Sequence, residues 1–347
     1  MSKFAFLPFV LLTILCWGNY GVLMHHGKEY MGDALRPFVG VGFAYFAIAV
    51  VVPGMLLWKQ GEKGNWSLSG ALLSLLGGSL GALGALGVIL AFSFRALPLY
   101  VMPLVFGGAP VVNTLVTTTL ARNVDRVRPI FLAGIVMAAS GGAGVLYFKP
   151  APVPQRPAEV TVAVETQATA TEVAATADLN YAMIGLSILM AVTCWGSYGP
   201  VLHKGQMKMG GSRLRPFLCV GIAYFIIAVA FPLAAIPVFS SDGQWHGTGM
   251  VWSLAGGAAG AFGALGIVYA FNFGGKPIYV MPLIFGLAPV MNTITSLTET
   301  ASWGRIGPAF IAALLVTILG AVTVLVYAPK PLPPRRQEDP QPAPAGT

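Results

Sequence analysis

The stretch YVMPLVFGGAPVVNT, from Tyr100 to Thr114, decides the fold because the chain contains it twice. The second copy, from Tyr279 to Thr293, reads YVMPLIFGLAPVMNT and is identical at 12 of the 15 positions. A shorter match lies upstream, where CWGNYG from Cys16 recurs as CWGSYG from Cys194. The chain is therefore a tandem duplication of two related halves, and a repeat of this kind governs the interpretation of the whole fold.

The composition is that of an integral membrane protein. Hydrophobic residues make up 56% of the 347 residues and charged residues only 9%, whereas soluble domains carry about 25% charged residues. A helix needs about 20 apolar residues to cross a bilayer, and ten such runs are present. They are Phe4–Met24, Pro37–Trp58, Leu68–Phe94, Leu99–Leu120, Pro129–Phe148, Tyr181–Leu202, Pro216–Phe239, Met250–Phe273, Ile278–Leu297 and Ile306–Tyr327.

The sequence thus predicts an all-α integral membrane protein with ten transmembrane helices as two inverted five-helix repeats. Inversion follows from the odd number of spans in each half, which places the second half upside down. The predicted units are a first repeat over residues 1–148, a disordered Pro/Ala/Thr-rich external linker over 149–179, a second repeat over 180–328 and a Pro-rich cytoplasmic tail over 329–347. Inverted repeats are common in secondary transporters, whose solute sites lie where the repeats meet.

Basic residues indicate the orientation in the membrane. If successive spans alternate sides, 14 of the 20 Lys and Arg residues fall on the face that holds both termini, and six fall on the other. Cytoplasmic loops are enriched in Lys and Arg, so both termini are predicted to be cytoplasmic, with the protein in the inner (cytoplasmic) membrane. The net charge of +8 is then a topology signal, and no nucleic-acid partner is expected.

The acidic residues, twelve in number, are all predicted to lie in loops or tails. Carboxylates inside a membrane are the usual proton relays and cation partners, so a carboxylate-coupled ion cycle is disfavoured. His25 and His203 are the candidates for any proton coupling, because only imidazole titrates near neutral pH without perturbation. The alternative is that both are polar boundary residues at helix ends.

The repeated stretch itself predicts one wall of a polar cavity. Tyr100, Pro103, Pro110 and Thr114 follow helical spacing and share one face, which Asn113 borders. A proline frees a backbone carbonyl, which is tolerated at membrane depth where neighbouring groups or a water-lined cavity satisfy it. The alternative is a structural kink whose asparagines bond to adjacent helices. The predicted helix hinges are Pro103, Pro110, Pro282 and Pro289.

Aromatic residues near the middle of helices 1 and 6 form a second set of candidates. Trp17 and Tyr20, with their counterparts Trp195 and Tyr198, are suited to stack on a polar solute. The alternative is packing between helices or an interfacial aromatic belt. Together the candidate solute-binding residues are Trp17, Asn19, Tyr20, Tyr100, Asn113, Thr114, Trp195, Ser197, Tyr198, Tyr279, Asn292 and Thr293.

Two arginines stand at equivalent places before the prolines of helices 2 and 7. Arg36 and Arg215 are predicted to lie on opposite faces of the membrane, where they would attract an anionic solute to each vestibule in turn. The alternative is that they reach to the lipid head groups. With His25 and His203, they are the candidate vestibule and coupling residues.

Glycines recur at helical spacing in helices 3 and 8. Gly77, Gly81 and Gly84 lie on one side of helix 3 and are repeated at Gly256, Gly260 and Gly263. Small residues at such spacing allow another helix to approach closely. The ladders therefore predict helix packing rather than solute contact.

The chain resembles the drug/metabolite transporter superfamily, in particular its members built from two EamA-type repeats, of which it would be a divergent branch. Trp17-Gly18-Asn19 and Trp195-Gly196-Ser197 resemble the signature of the first helix of that family. Arg36 and Arg215 resemble the arginine that opens its second helix, and the helix 4 prolines resemble the proline of its fourth. The glycine-glutamate pair that often follows helix 4 in the family has no equivalent after Leu120. The resemblance implies alternating-access transport of a small metabolite without a bound cofactor.

The function expected from these observations is secondary transport of a small polar metabolite, such as a sugar or an amino acid, across the cytoplasmic membrane. The alternatives are an efflux carrier for hydrophobic or cationic compounds and a channel-like or scaffold membrane protein. An enzyme is disfavoured, because no buried carboxylate pair or histidine cluster is predicted. The expected partners are the solute and the lipid bilayer, in a monomer or homodimer, with no metal and no cofactor.

Overall fold

The computed structural model describes residues 4–120, 128–148, 150, 180–239, 243–275 and 277–328. Within these ranges the chain is all-helical, with ten helices long and apolar enough to cross a membrane, which confirms the predicted spans. They are α1 Leu7–Met31, α2 Leu35–Lys59, α3 Leu68–Ser93, α4 Pro98–Leu120, α5 Pro129–Tyr147, α6 Tyr181–Lys208, α7 Leu214–Val238, α8 Gly247–Asn272, α9 Pro277–Glu299 and α10 Pro308–Val326. The predicted tail and, apart from residue 150, the predicted linker lie outside the described residues.

Several helices, α9 among them, continue past the ends of their predicted apolar runs. α1 continues to Met31 and α6 to Lys208, because a helix persists through polar residues wherever its backbone hydrogen bonds are kept. The prediction that every acidic residue lies in a loop or tail is therefore wrong at two positions. Glu29 lies within α1, and Glu299 is the last residue of α9.

α2 and α7 each contain a π-helical turn, at Ala47–Val51 and Ile226–Ala230. Each turn ends two residues before a proline, Pro53 in α2 and Pro232 in α7. Proline lacks an N–H and its ring displaces the carbonyl four residues earlier, so a wider turn relieves the conflict. The two turns occupy equivalent places in the repeat, and π turns are frequent at functional sites.

The first and second halves are joined by antiparallel helix pairs. In the pair of α1 and α8, Thr13 Oγ1 donates a hydrogen bond to the Gly263 carbonyl at 3.0 Å. Four residues further along α1, Trp17 Nε1 donates to the Gly260 carbonyl at 3.2 Å. Residue numbers increase along α1 from Thr13 to Trp17 while those of their partners on α8 decrease, so the two helices run in opposite directions.

The equivalent pair, α3 and α6, is built in the same way. Gly87 lies against Ser187 at one end, Gly77 lies against Leu202, and Gly205 lies against the α3 backbone at the other end. The glycine ladder of α3 therefore packs against α6, as predicted, and the two helices are antiparallel. Each half thus contributes its first helix to a pair with the third helix of the other half.

The pair of α5 and α10 completes the framework. A Cβ atom placed on Gly320 would lie 2.8 Å from both the Ala138 Cα atom and the Gly134 carbonyl oxygen. Both neighbours are backbone atoms, which cannot rotate away as a side chain can. The close contact of these helices therefore requires glycine at this position.

Gly320→Val is expected to lower the thermal midpoint of the detergent-purified protein, because overpacking costs about 1–3 kcal/mol. Gly185→Val in α6 is the matched control, since a Cβ atom there meets nothing within 4 Å. Thermal unfolding of both variants checks the prediction. Equal midpoints for the two variants would contradict the backbone contact between α5 and α10.

Candidate functional site

A cavity of about 310 Å³ lies between the two halves of the protein. Its walls come from both repeats, and its deep part is largely aromatic. The aromatic side chains there are Trp17, Tyr20, Tyr45, Phe106, Trp195, Tyr198, Tyr224 and Phe285. A concave, mostly apolar cavity with a few polar groups is the usual form of a small-molecule site.

The two tryptophans are held in place by equivalent hydrogen bonds. Trp195 Nε1 donates to the Gly81 carbonyl at 3.0 Å, which mirrors the bond from Trp17 Nε1 to Gly260. Each bond joins one half of the chain to the other and fixes an indole ring at the cavity wall. The glycines at these two positions therefore serve both packing and the cavity, whereas the sequence predicted packing alone.

Three tyrosines meet at the junction of the halves. The rings of Tyr45 and Tyr224 are stacked at 3.7 Å between centroids, with an interplanar angle of 6°. Tyr20 lies edge-on to Trp195 at 5.7 Å. The Tyr20 hydroxyl is buried without a hydrogen-bond partner among the described residues, so it is available to a polar solute that enters the cavity.

The polar part of the cavity lies toward the end of α6 and the start of α7. Asn113, His203, Gln206 and Arg213 line it there. The guanidinium of Arg213 donates to the Asn272 side-chain oxygen. The cavity lining among the described residues contains no Asp or Glu.

Among the described residues, the cavity extends from the centre toward one end of the protein. Six apolar side chains line that end: Leu202, Phe217, Ile267, Val268, Phe271 and Met281. Their repeat counterparts are all fully buried, with an exposed fraction of 0%, and belong to one hydrophobic cluster. These counterparts are Met24, Phe38, Val88, Ile89, Phe92 and Met102, and we refer to them as the apolar plug. Five of the six lining residues are half-buried and Phe217 is 3% exposed, so five of the six equivalent pairs are more open at the cavity than in the apolar plug.

The structure brings part of the predicted solute-binding set to the cavity. Trp17, Tyr20, Asn113, Trp195 and Tyr198 line it. The vestibule candidate His203 lines it as well. These residues stand on α1, α4 and α6, and α9 adds Met281 and Phe285 to the lining.

Other predicted residues make helix contacts instead. Thr295 Oγ1 donates to the Asn19 side-chain oxygen at 2.8 Å, which joins α9 to α1. Thr114 and Thr293 donate to the carbonyls of Pro110 and Pro289, so each threonine satisfies a carbonyl four residues earlier on a helix with internal prolines.

Three further predicted residues lie away from the cavity lining. Tyr100 is buried and Ser197 half-buried, and neither lines the cavity. Asn292 is fully buried, and its amide donates to the Pro98 carbonyl at 2.9 Å. The side chain of Tyr279 lies outside the described part of the structure.

The two predicted vestibule arginines are both paired with acids. Arg36 donates to the Asp33 carboxylate and lies 5.8 Å over the Trp245 ring. Arg215 pairs with Glu62 at 3.7 Å. In addition, Glu62 accepts hydrogen bonds from the backbone of residues 213 and 214, so a loop of the first half caps the start of α7.

A partly exposed cluster of histidines and acids lies at the end of the protein opposite the cavity mouth. His26 Nε2 lies 3.0 Å from Glu299 Oε2 and so bridges α1 and α9. His25 Nε2 lies 3.3 Å from Glu29, and its ring is edge-on to Phe92. No three of the described His, Cys, Asp and Glu side chains are grouped to hold a metal ion.

Sequence reasoning missed several lining residues. Tyr45 and Tyr224 recur in register in the two halves, and that repetition of a polar aromatic side chain within a span is a signal for a shared site. Phe106 and Phe285 lie inside the repeated stretch, yet phenylalanine in a membrane span is too common to stand out. Arg213 falls where the inserted residue breaks the repeat, so it has no arginine counterpart.

The comparisons with known proteins bear on the fold. No protein-family model matches the chain, and no curated protein matches it. A crystal structure of a protein superimposes with a TM-score of 0.53 at 18% sequence identity, covering 94% of this chain and 99% of that chain. The chain therefore shares its overall fold with a solved protein over nearly its whole length.

Trp195→Phe is expected to lower the thermal midpoint, because it removes the indole donor of the hydrogen bond to the Gly81 carbonyl, which joins the two halves. Loss of one such bond costs about 0.5–1.5 kcal/mol, and more where the remaining group stays dry. Trp58→Phe is the control, since Trp58 is 84% exposed. Thermal unfolding in detergent is the measurement, and equal midpoints would show that the indole bond contributes nothing.

Proposed function

We propose that this protein is an alternating-access secondary transporter of a small polar metabolite. The observation that carries the proposal is the one-sided cavity: residues that line its open end have repeat counterparts that form the apolar plug at the other end. In the proposed cycle, a second state exchanges the open and the closed side of the duplicated halves. Exchange between the two states would expose the cavity to each side in turn.

The directions of the helices support inverted repeats. α6 runs antiparallel to α3, and α8 antiparallel to α1. If successive spans cross the membrane in alternating directions, α1 and its repeat counterpart α6 run in opposite directions. Inverted repeats place a solute site at their interface near the midplane, and the aromatic part of the cavity is lined by residues of both repeats. Membership of the drug/metabolite transporter superfamily is part of this proposal and rests on the resemblance of the repeated sequence motifs.

The charge distribution supports an inward-facing state. The cavity mouth lies beside α6 residues that precede Lys204 and Lys208, on the face with 14 of the 20 basic residues. By the enrichment of Lys and Arg in cytoplasmic loops, that face is cytoplasmic. The plug and the contact between His26 and Glu299 then close the external face.

The lining favours an uncharged or zwitterionic polar solute with some apolar surface. Aromatic rings supply large contact area to such a solute, while Asn113 and Gln206 supply donors and acceptors at the mouth. The second candidate, an efflux carrier for hydrophobic cations, is favoured by the same aromatic walls through cation–π attraction. Arg213 at the mouth disfavours it, because a cation would meet a like charge.

A thermal-stabilisation screen of the detergent-purified protein tests the proposal. The probes are monosaccharides, amino acids, nucleosides and hydrophobic cations. A ligand that binds only the folded protein raises the thermal midpoint, and Asn113→Ala should reduce that rise while Thr119→Ala, on the exposed side of α4, should not. Uptake of the stabilising compound into proteoliposomes follows. Absence of uptake for every stabilising compound would contradict transport.

A further inference from the structure

Three buried polar atoms lie near the closed end of the protein without partners among the described residues. They are the Asn292 side-chain oxygen, the Ser296 hydroxyl and His25 Nδ1. Asn292 is 0% exposed and Ser296 5% exposed. Each unpaired polar group in a dry environment costs free energy, so three of them in one region call for an explanation.

The three residues belong to one junction of α1, α4 and α9. Asn292 lies beside Gly21 of α1, and its amide donates to the Pro98 carbonyl at the start of α4. α1 and α9 run parallel there, because Gly18 lies against Met291 while His26, two turns later, reaches the end of α9. His25 lies one helical turn after Gly21 on α1, and Ser296 lies one turn after Asn292 on α9. Because Gly21 and Asn292 are in contact, His25 and Ser296 stand at the same level of the two helices.

The repeat gives each of these residues a counterpart on the open side. Asn113 corresponds to Asn292, Thr117 to Ser296 and His203 to His25. Asn113 and His203 line the cavity. All three counterparts are more accessible: Asn113 is half-buried, and Thr117 and His203 are exposed. Two of the three buried residues, Asn292 and His25, therefore have counterparts that line the open cavity, and the third, Ser296, has a counterpart that is exposed outside the cavity lining.

We propose that His25, Asn292 and Ser296 form a second polar solute-binding site, which the hydrogen bond from Asn292 to Pro98 closes in this structure. This inference rests on the proposed transport function. In the opposite state, the Asn292 amide leaves Pro98 and the site faces the external side. The counterpart Asn113 then closes the cytoplasmic side, and its partner is the carbonyl of Pro277, the repeat equivalent of Pro98.

The chemistry of the three groups defines the solute. An amide, a hydroxyl and an imidazole offer both donors and acceptors but no fixed charge. The site therefore suits a neutral solute group that itself both donates and accepts, such as a hydroxyl or a carboxamide. Glu29 and Glu299 lie one turn beyond, where each is engaged by a histidine.

Cysteine accessibility tests this site. Cys16, Cys194 and Cys219 are replaced by alanine, and Ser296→Cys or Thr117→Cys is added as a reporter. Intact cells expose the external face and inside-out vesicles the cytoplasmic face to sulfonatoethyl methanethiosulfonate, which does not cross membranes. Each reporter is combined with Asn292→Ala, and with Asn292→Ser in case the alanine variant does not fold. The matched control is Asn113→Ala.

Loss of the bond to Pro98 is expected to speed external labelling of Ser296→Cys by roughly threefold to tenfold, the effect of a single hydrogen bond made only in the closed state. Labelling of Thr117→Cys from the cytoplasmic face should slow at the same time. Asn113→Ala should not speed external labelling. D-glucose or L-asparagine should protect the exposed Ser296→Cys, and tetraphenylphosphonium should not.

Four outcomes would overturn the inference. An unchanged external rate would show that Asn292 closes nothing, and faster labelling of both reporters would indicate local unfolding. Protection by tetraphenylphosphonium alone would exclude the hydroxyl or carboxamide class. If solute uptake is intact but Ser296→Cys is not labelled from outside in any variant, the external solute site does not include Ser296. These four outcomes leave the proposed transport function standing. Only the absence of solute uptake by the wild-type protein would contradict that function as well.

Discussion

Ala264→Trp is expected to abolish both ligand-induced stabilisation and solute uptake. Ala264 lines the cavity, and its neighbour one turn earlier, Gly260, accepts the bond from Trp17. An indole at this position would occupy much of the 310 Å³ cavity and leave no room for a solute. The thermal midpoint without ligand should fall little, because the new side chain fills space that is already empty.

Val251→Trp is the matched control on the same helix, since Val251 is 64% exposed. It should retain uptake and ligand-induced stabilisation. Proteoliposome uptake and thermal unfolding with the same compound are the measurements. Full uptake by the Ala264→Trp protein would remove this cavity from the transport path.

Phe92→Ala is expected to destabilise the protein far more than Phe271→Ala, although the two residues are repeat counterparts. Phe92 is 0% exposed within the apolar plug, so truncation leaves a cavity and costs about 3–5 kcal/mol. Phe271 is half-buried at the wall of the cavity, where truncation only widens a space that is already open. The pair therefore reports which side of the protein is closed.

Thermal unfolding of both variants in the same detergent checks this difference. In the proposed cycle only the state closed on that side makes the Phe92 contacts, so Phe92→Ala should also shift the protein toward the opposite state and speed labelling from the proposed external face. Equal losses of stability for the two variants would mean that both sides are packed alike. The asymmetry on which the proposed cycle depends would then be absent.

The sequence predicted the ten spans correctly because apolar run length is a direct consequence of the bilayer thickness. It also placed Trp17, Trp195 and Asn113 at a cavity, since aromatic and polar residues that recur at membrane depth in both halves stand out. Helix ends were less predictable. Hydropathy ignores the polar last turns of α1 and α6, and so it misplaced Glu29 outside its helix.

The sequence could not predict which of two equivalent residues is open. Asn113 and Asn292 have nearly identical local sequences, yet one lines a cavity and the other is buried against Pro98. That difference arises from the relative position of the two halves, which local sequence does not encode. Likewise, Arg213 lies at the cavity mouth beside the inserted residue near the start of α7. Because the first repeat has no arginine at the equivalent place, aligning the two repeats gives no sign that Arg213 belongs to the site.

Counterflow is the measurement that tests alternating access most directly. Proteoliposomes are loaded with the unlabelled compound found by thermal stabilisation, and uptake of the labelled compound is followed from outside. The account predicts a transient accumulation above equilibrium, because a carrier returns loaded and exchanges one solute for another. Uptake that is unaffected by internal solute, with no overshoot, would instead indicate a channel and would contradict the proposed function.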